Sequence, residues 1–439
     1  MKVRTRFVTA HGGSRGRKNA RSVARSIVSC SAIVGACTLA AAASPAAASP
    51  NQGVTATTIK VGVPYVDLQA VDAQFGLHLN QGSFPDAYNA LIANLNAHGG
   101  IEGRKVVPIF VAVNPTGTTA AQSSCTQLTE DDDVFVAIAP LSPICYLEAG
   151  TPTISSTVQG TVTPGSAQNF TVTPPASAYD PLQLSVFTQR GVFKGKKVGI
   201  FGGETTDEDE VNVVQAALKK DHVDVVETGI DSAPATDQVS ASQEEQVIAE
   251  RFKSAGVNEV VAVGTGSSSW AQYQQTNQST YNPPWVATSY ADLDGYVDGK
   301  SLDPVYVKNV LSSSATPSQT ASWSEPQMQQ CVRIIKKAYP SDAIASPIGL
   351  SSSAPTTYVA PEAACEDFTL FVDIAKAAGK KLTTKTFTRA GYGLRNVSIP
   401  GAGSVSFGSG RAYALGTVYL AKYNPSTKLM DLAASPVKT

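Results

Sequence analysis

The sequence predicts an α/β protein of two lobes, each a mostly parallel sheet wrapped in helices. Strand-like and helix-like patterns alternate from residue 59 to residue 139, and the alternation resumes over 178–287. That pattern is what parallel strands joined by crossover helices require. The chain has 439 residues, more than one small core needs and fewer than three ordinary domains.

The first stretch reads as an export signal rather than as fold, over 1–48. Lys2, Arg4, Arg6, Arg15, Arg17, Lys18, Arg21 and Arg25 form a cationic head, and an apolar run follows from Ile27 to Ala43. Ala46-Ala47-Ala48 is a small-residue cleavage site. Val34-Gly35-Ala36-Cys37 offers a second processing route, lipidation of Cys37. The run is short of the ~20 apolar residues of a membrane span. The expected location is therefore outside the cytoplasmic membrane, freely or through a lipid on Cys37.

Past the leader the elements follow in order. Ile59 to Tyr65 alternates like a strand, and Asp67 to Gly82 is loop-like. Phe84 to Ala97 is a helix, because Ala87, Leu91 and Leu95 recur at every fourth position, and Gly99-Gly100 stops it. Lys105 to Val113 is a strand, Thr118 to Leu128 a helix, and Val134 to Ala139 a buried strand. Downstream come helix Asp180–Arg190, strand Lys197–Phe201, helix Glu208–Asp221, strand Val223–Val226, helix Gln243–Ala255, and strands Glu259–Val263 and Trp285–Thr288. Helices Glu325–Tyr339 and Pro361–Gly379 follow, then Ser404–Phe407 and Thr417–Tyr423 as strands at a sheet edge. Residues 231–242, 266–284 and 311–324 are rich in Ser, Thr, Gln and Asn and read as loops.

Composition narrows the function. The formal net charge is −1, so there is no basic field to hold nucleic acid. The four histidines, at 11, 78, 98 and 222, show no metal-ligand spacing, and neither metal nor cofactor is expected. Outside the leader, Cys125, Cys145, Cys331 and Cys365 form an even set, as two disulfides in an exported chain would. Three pairings are open. Cys125–Cys145 with Cys331–Cys365 closes the shortest loops and is the expected one.

The most specific string is Asn96-Ala97-His98-Gly99-Gly100-Ile101-Glu102-Gly103-Arg104-Lys105-Val106. Gly99 and Gly100 suit a helix end that needs positive φ, and Gly103 turns the chain into the next strand. The string resembles the N-A-x-G-G-I-x-G-R-K stretch of type I periplasmic binding proteins of the leucine/isoleucine/valine kind. The spacing to the strand before it and the acidic turn Asp131-Asp132-Asp133 before the next strand also resemble that family. The resemblance implies two Rossmann-like lobes joined by three crossing strands, with crossings near 174–180, 287–292 and 385–392. The lobes would be 57–177 plus 288–385 and 178–287 plus 386–439. It also implies a monomer that captures a small polar solute, an amino acid or a relative, and delivers it to the permease subunits of an ABC importer. A ligand sensor of the same fold is the alternative.

By position in that family, the residues expected to hold the solute are Tyr65, Ser142, Ser155, Ser156 and Thr157 from the first lobe. Glu204, Thr265, Tyr290 and Asp292 would come from the second. Hydroxyls and helix N-termini suit a carboxylate, and Glu204 or Asp292 suits an ammonium group. The chain departs from the family at Pro140, where glycine is usual, and in a shortened 140–151 segment. No enzyme is expected: outside the leader there is no G-x-S-x-G elbow, and Gly264-Thr265-Gly266-Ser267-Ser268-Ser269 lacks the phosphate-binding lysine.

Overall fold

A computed structural model describes residues 52–75, 79–115, 119–155, 167–203, 208–233, 237–263, 273–274, 276–277, 279–288, 304–350, 354–426 and 429–438. The leader, 1–48, lies outside them. Among the described residues no helix is long and apolar enough to cross a membrane.

Five strands form the first sheet: Thr58–Val66 (β1), Lys105–Val113 (β2), Val136–Ile138 (β3), Thr153–Ile154 (β4) and Asn169–Phe170 (β5). Their order is β2-β1-β3-β4-β5 and every pairing is parallel. A second sheet starts from Lys197–Gly202 (β6), Asp224–Ile230 (β7), Glu259–Val263 (β8), Trp285–Ala287 (β9) and Val310–Ser314 (β10). It runs β7-β6-β8-β9-β10 in parallel, then continues through antiparallel Thr417–Asn424 (β14) to Leu429–Leu432 (β15). Both parallel sets thus share one order: the first strand is flanked by the second on one side and the third on the other. A doubly wound sheet of this order has its ligand crevice outside the carboxyl ends of its first and third strands.

The strands are apolar because both faces are covered. In β8, Val260 and Ala262 belong to one buried cluster with Phe252 and Trp285, while Val261 and Val263 belong to another with Val214 and Leu218. In the first sheet, Ile59, Val61 and Val63 pack with helix α2 (Phe84–Ala97) through Leu91 and Ile92. Two later helices complete that cluster, Pro326–Ala338 through Met328 and Val332, and Val359–Ala378 through Phe371.

The disulfides are Cys125–Cys145 and Cys331–Cys365, as the loop lengths suggested. Cys331–Cys365 staples the two later helices together inside the first-sheet cluster. Each closed loop removes about 3–4 kcal/mol of unfolded-chain freedom in the chain-entropy account.

Several elements differ from the sequence expectation. Leu68–Phe75 is a helix (α1) rather than loop. The helix expected from Gln243 begins at Gln238, because the Asp237 carboxylate accepts from Ser240 N. The Ser-rich stretch 311–324 holds β10 and a short helix, Gln319–Ser324, instead of a loop. Ser312 and Ser313 are buried there, and Ser313 Oγ donates to Gln183 Oε1. Thr417–Asn424 is not an edge: β14 has β10 on one side and β15 on the other. Gly403–Gly408 (β12) joins a separate antiparallel sheet with Val397–Ile399 (β11) and Arg411–Leu415 (β13).

Two of the expected crossings also fall elsewhere. The chain stays in the second sheet through β10, because Val310–Ser312 pair with β9 and Ser312–Ser314 with β14. Residues 385–392 are helical, within Thr384–Gly393, started by a capping box between Thr383 and Thr386. This helix belongs to the first sheet: Phe387 meets Phe135 and Phe170 edge-on, at centroid distances of 5.4 and 6.0 Å. The passages between sheets are 171–175, 315–318 and 415–416.

Gly391 tests that packing. A Cβ there would lie 2.4 Å from the Phe170 ring. Gly391→Ala is expected to destabilise by about 1–3 kcal/mol through overpacking, read as a lower urea midpoint with an unchanged slope. A neutral result would mean that this helix does not press on Phe170.

Candidate functional site

The carboxyl ends of β1 and β3 are where the first sheet changes direction of winding, and Tyr65 and Ser142 stand at or just past these two ends. Tyr65 is the penultimate residue of β1, half-buried, and pairs in register with Ala112 of β2. Ala139, just past β3, has left-handed backbone with φ 56°. A non-glycine residue held there stores strain, which clusters at binding loops. Pro140 and Leu141 lead to half-buried Ser142, then to a five-residue helix, Ile144–Glu148. Ser155 follows β4 and is 3% exposed. Its hydroxyl donates to Asn169 Oδ1 at 3.1 Å, the oxygen that also accepts from Thr153 Oγ1 at 2.8 Å. That hydroxyl therefore helps knit β4 to β5. Ser156 and Thr157 lie outside the described residues.

The second sheet offers the matching edge. Gly202 of β6 and Val263 of β8 pair side by side at their carboxyl ends, the second switch point. Thr288, just past β9, is fully buried and donates from Oγ1 to Glu210 Oε1 at 3.2 Å. Glu204, Thr265, Tyr290 and Asp292 follow these three strand ends in sequence and lie outside the described residues.

A cavity of about 620 Å³ opens at the carboxyl ends of β1 and β2, beside Tyr65 and Ala112. Tyr65, Asp67 and Gln69 line it from the end of β1 and the start of α1, and Asn80, Ser83 and Phe84 from the approach to α2. Asp342 and Thr357 close it from the link between the two later helices. Ser83 caps α2 by accepting from Asp86 N at 3.2 Å. Gly82 (φ 86°) is needed at the wall, because a Cβ there would sit 2.7 Å from the Thr357 carbonyl oxygen. Burial, then the nearby Asp86 charge, raises the Asp342 carboxyl above its ordinary range. The lining carries Asp67 and Asp342 and, among the described residues, no Lys, Arg or His. The sequence reading found Tyr65 but missed Asn80, Ser83, Asp342 and Thr357. Asn80 and Ser83 stood in or beside a recognised polar loop; nothing in the local pattern marked Asp342.

Solved structures are similar in architecture over most of the chain. A type 1 periplasmic binding protein from Bordetella pertussis covers 87% of this chain and 100% of its own, at TM-score 0.57 and 17% identity. The fold is that of the type I periplasmic binding proteins. The branched-chain amino acid transporter substrate-binding protein of Streptococcus pneumoniae, in complex with isoleucine, covers 87% and 100% at TM-score 0.56 and 17% identity. A solute-binding protein of an ABC transporter from Rhodopseudomonas palustris, in complex with p-hydroxybenzoic acid, covers 87% and 97% at TM-score 0.58 and 15% identity. No protein-family model matches the sequence, and no curated protein sequence matches it.

Behind the cavity, the helix Val359–Ala378 buries acids near its N-terminus. Burial pushes the Asp367 carboxyl up to about 7, against a smaller lowering from the Tyr88 hydroxyl, which donates to Oδ2 at 3.5 Å. Burial likewise pushes Glu362 up to about 7, partly offset by the Gln319 amide. Between an ordinary carboxylate pKa of ~4 and about 7, the folded protein holds protons that the unfolded chain has released, so stability falls as pH rises. Asp367→Asn removes that loss. Its gain in melting temperature is expected to be larger at pH 8 than at pH 5, by a few degrees. An equal gain at both would contradict a raised Asp367 carboxyl.

Proposed function

We propose that this chain is an extracytoplasmic solute-binding protein that hands a small polar molecule to an ABC-type permease. The observation that carries the reading is the pair of switch points: two sheets of identical strand order, each with its first and third strands ending at residues followed by candidate ligand loops. One lobe is built on the first sheet together with 319–415, the other on the second sheet from 176–314 and 417–438. The solute lies between them, against Tyr65 and Ser142 on one side and the loops bearing Glu204, Thr265, Tyr290 and Asp292 on the other. Capture needs shape and hydrogen bonds and no chemistry on the solute. The working form is an exported monomer, its leader removed after Ala48 or its Cys37 lipidated.

The cavity chemistry narrows the solute. Asp67 and Asp342 with no basic partner in the described lining favour an ammonium-bearing guest over a simple anion. Amino acids and related amines come first; the isoleucine complex of the Streptococcus pneumoniae protein supports that order. Aromatic acids of the p-hydroxybenzoate kind come second.

A thermal-shift screen across amino acids, amines, sugars, aromatic acids and short peptides tests this. One class is expected to raise the melting temperature with concentration, through a stabilisation of about 2.7 kcal/mol at a hundredfold excess over Kd. Tyr65→Ala is expected to weaken that solute at least about tenfold, the loss of roughly 1.4 kcal/mol of contact. A flat response to every class would contradict solute capture.

A further inference from the structure

Tyr179 stands in the first turn of the helix Ala176–Gln189, four residues past the passage 171–175, and is 1% exposed. Its hydroxyl lies 2.5 Å from the carbonyl oxygen of Ser314 and 3.2 Å from that of Thr417. Ser314 is the last residue of β10, where the chain leaves the second sheet for 315–318. Thr417 opens β14, where the chain returns after 415–416. The side chain of Tyr179 therefore joins the second-sheet ends of the three passages: its own helix follows the first, and its hydroxyl meets the residue before the second and the residue after the third.

The next residue extends this tie. Asp180, fully buried, accepts through Oδ1 from Gln183 Nε2, and Gln183 Oε1 accepts from Ser313 Oγ. Ser313 Oγ is also 3.2 Å from the carbonyl oxygen of Ala287, the last residue of β9. Glu210, in the first turn of Glu208–Lys220, accepts from Thr288 Oγ1. Burial, then the Glu210 charge, raises the Asp180 carboxyl well above its ordinary range. The buried chain thus runs from the helix of Tyr179 through Gln183 and Ser313 to the carboxyl end of β9.

We infer that Tyr179 is the positioning residue of the hinge, its hydroxyl fixing the second-sheet ends of the three passages to one another. The Asp180–Gln183–Ser313 network ties that junction to the carboxyl end of β9. The functional meaning rests on the two-lobe capture reading; the tie itself does not. A buried hydroxyl removed from two carbonyls leaves them without this donor, a local loss that leaves the two sheet cores untouched.

Amide hydrogen exchange on the full chain, with no solute present, tests the tie. In Tyr179→Phe, peptides spanning 312–318 and 415–420 are expected to exchange at least about tenfold faster, while peptides from β1 and β8 keep wild-type protection. Equal acceleration in β1 and β8 would overturn the inference, since it would mark a general loss of stability; so would no change anywhere. Should the variant fail to fold, the wild-type protein decides: the same peptides must be as protected as β8, and rapid exchange there overturns the inference. A flat solute screen leaves this outcome unaffected, and a failed exchange test leaves the screen standing.

Discussion

A parallel strand has to be left at its carboxyl end, and that constraint organises this protein. Each crossover helix returns the chain to the amino side, so every connecting loop at the other side opens onto one edge. Where strand order reverses, two such loops diverge and leave a crevice. Here the reversal happens twice, between β1 and β3 and between β6 and β8. Tyr65 and Ala139 mark the first edge, and Gly202 and Val263 the second.

Two edges make one site only if the chain holds them in register, which gives the junction at Tyr179 its weight. Three passages between separate cores would be a loose linkage on their own. The buried hydroxyl gathers their second-sheet ends, and the hydrogen bonds from Asp180 through Gln183 and Ser313 carry the constraint on to the end of β9. The disulfides work elsewhere: Cys125–Cys145 joins Ala120–Thr126 to Ile144–Glu148, and Cys331–Cys365 joins two helices on the first sheet. They stiffen one lobe and leave the hinge to hydrogen bonds, which can rearrange.

Much of this architecture was legible in the residues. Phe84–Ala97 and Lys105–Val113 match the expected bounds, because apolar spacing set the helix and Gly99, Gly100 and Gly103 all take the positive φ the turn requires. β10 was hidden because Val310-Leu311-Ser312-Ser313-Ser314 has the composition of a loop. Its serines are buried by hydrogen bonds to distant partners such as Gln183, and local pattern carries no trace of a partner 130 positions away. The helix Thr384–Gly393 was missed for a related reason: its stability comes from Phe387 against Phe135 and Phe170 rather than from its own weak helix formers. Of the candidate site, Tyr65 was reachable because the end of a first strand is privileged in this topology. Asp342 was not, because it arrives from a link between helices.

Motion of the two sheets about their shared junction is the core of this account. The direct measurement is the distance between spin labels placed as non-canonical residues at exposed positions 105 and 224, at the amino ends of β2 and β7, with and without a stabilising solute from the screen. The account predicts a distribution that shifts and narrows when solute is added. One fixed distance, the same in both conditions, would contradict it.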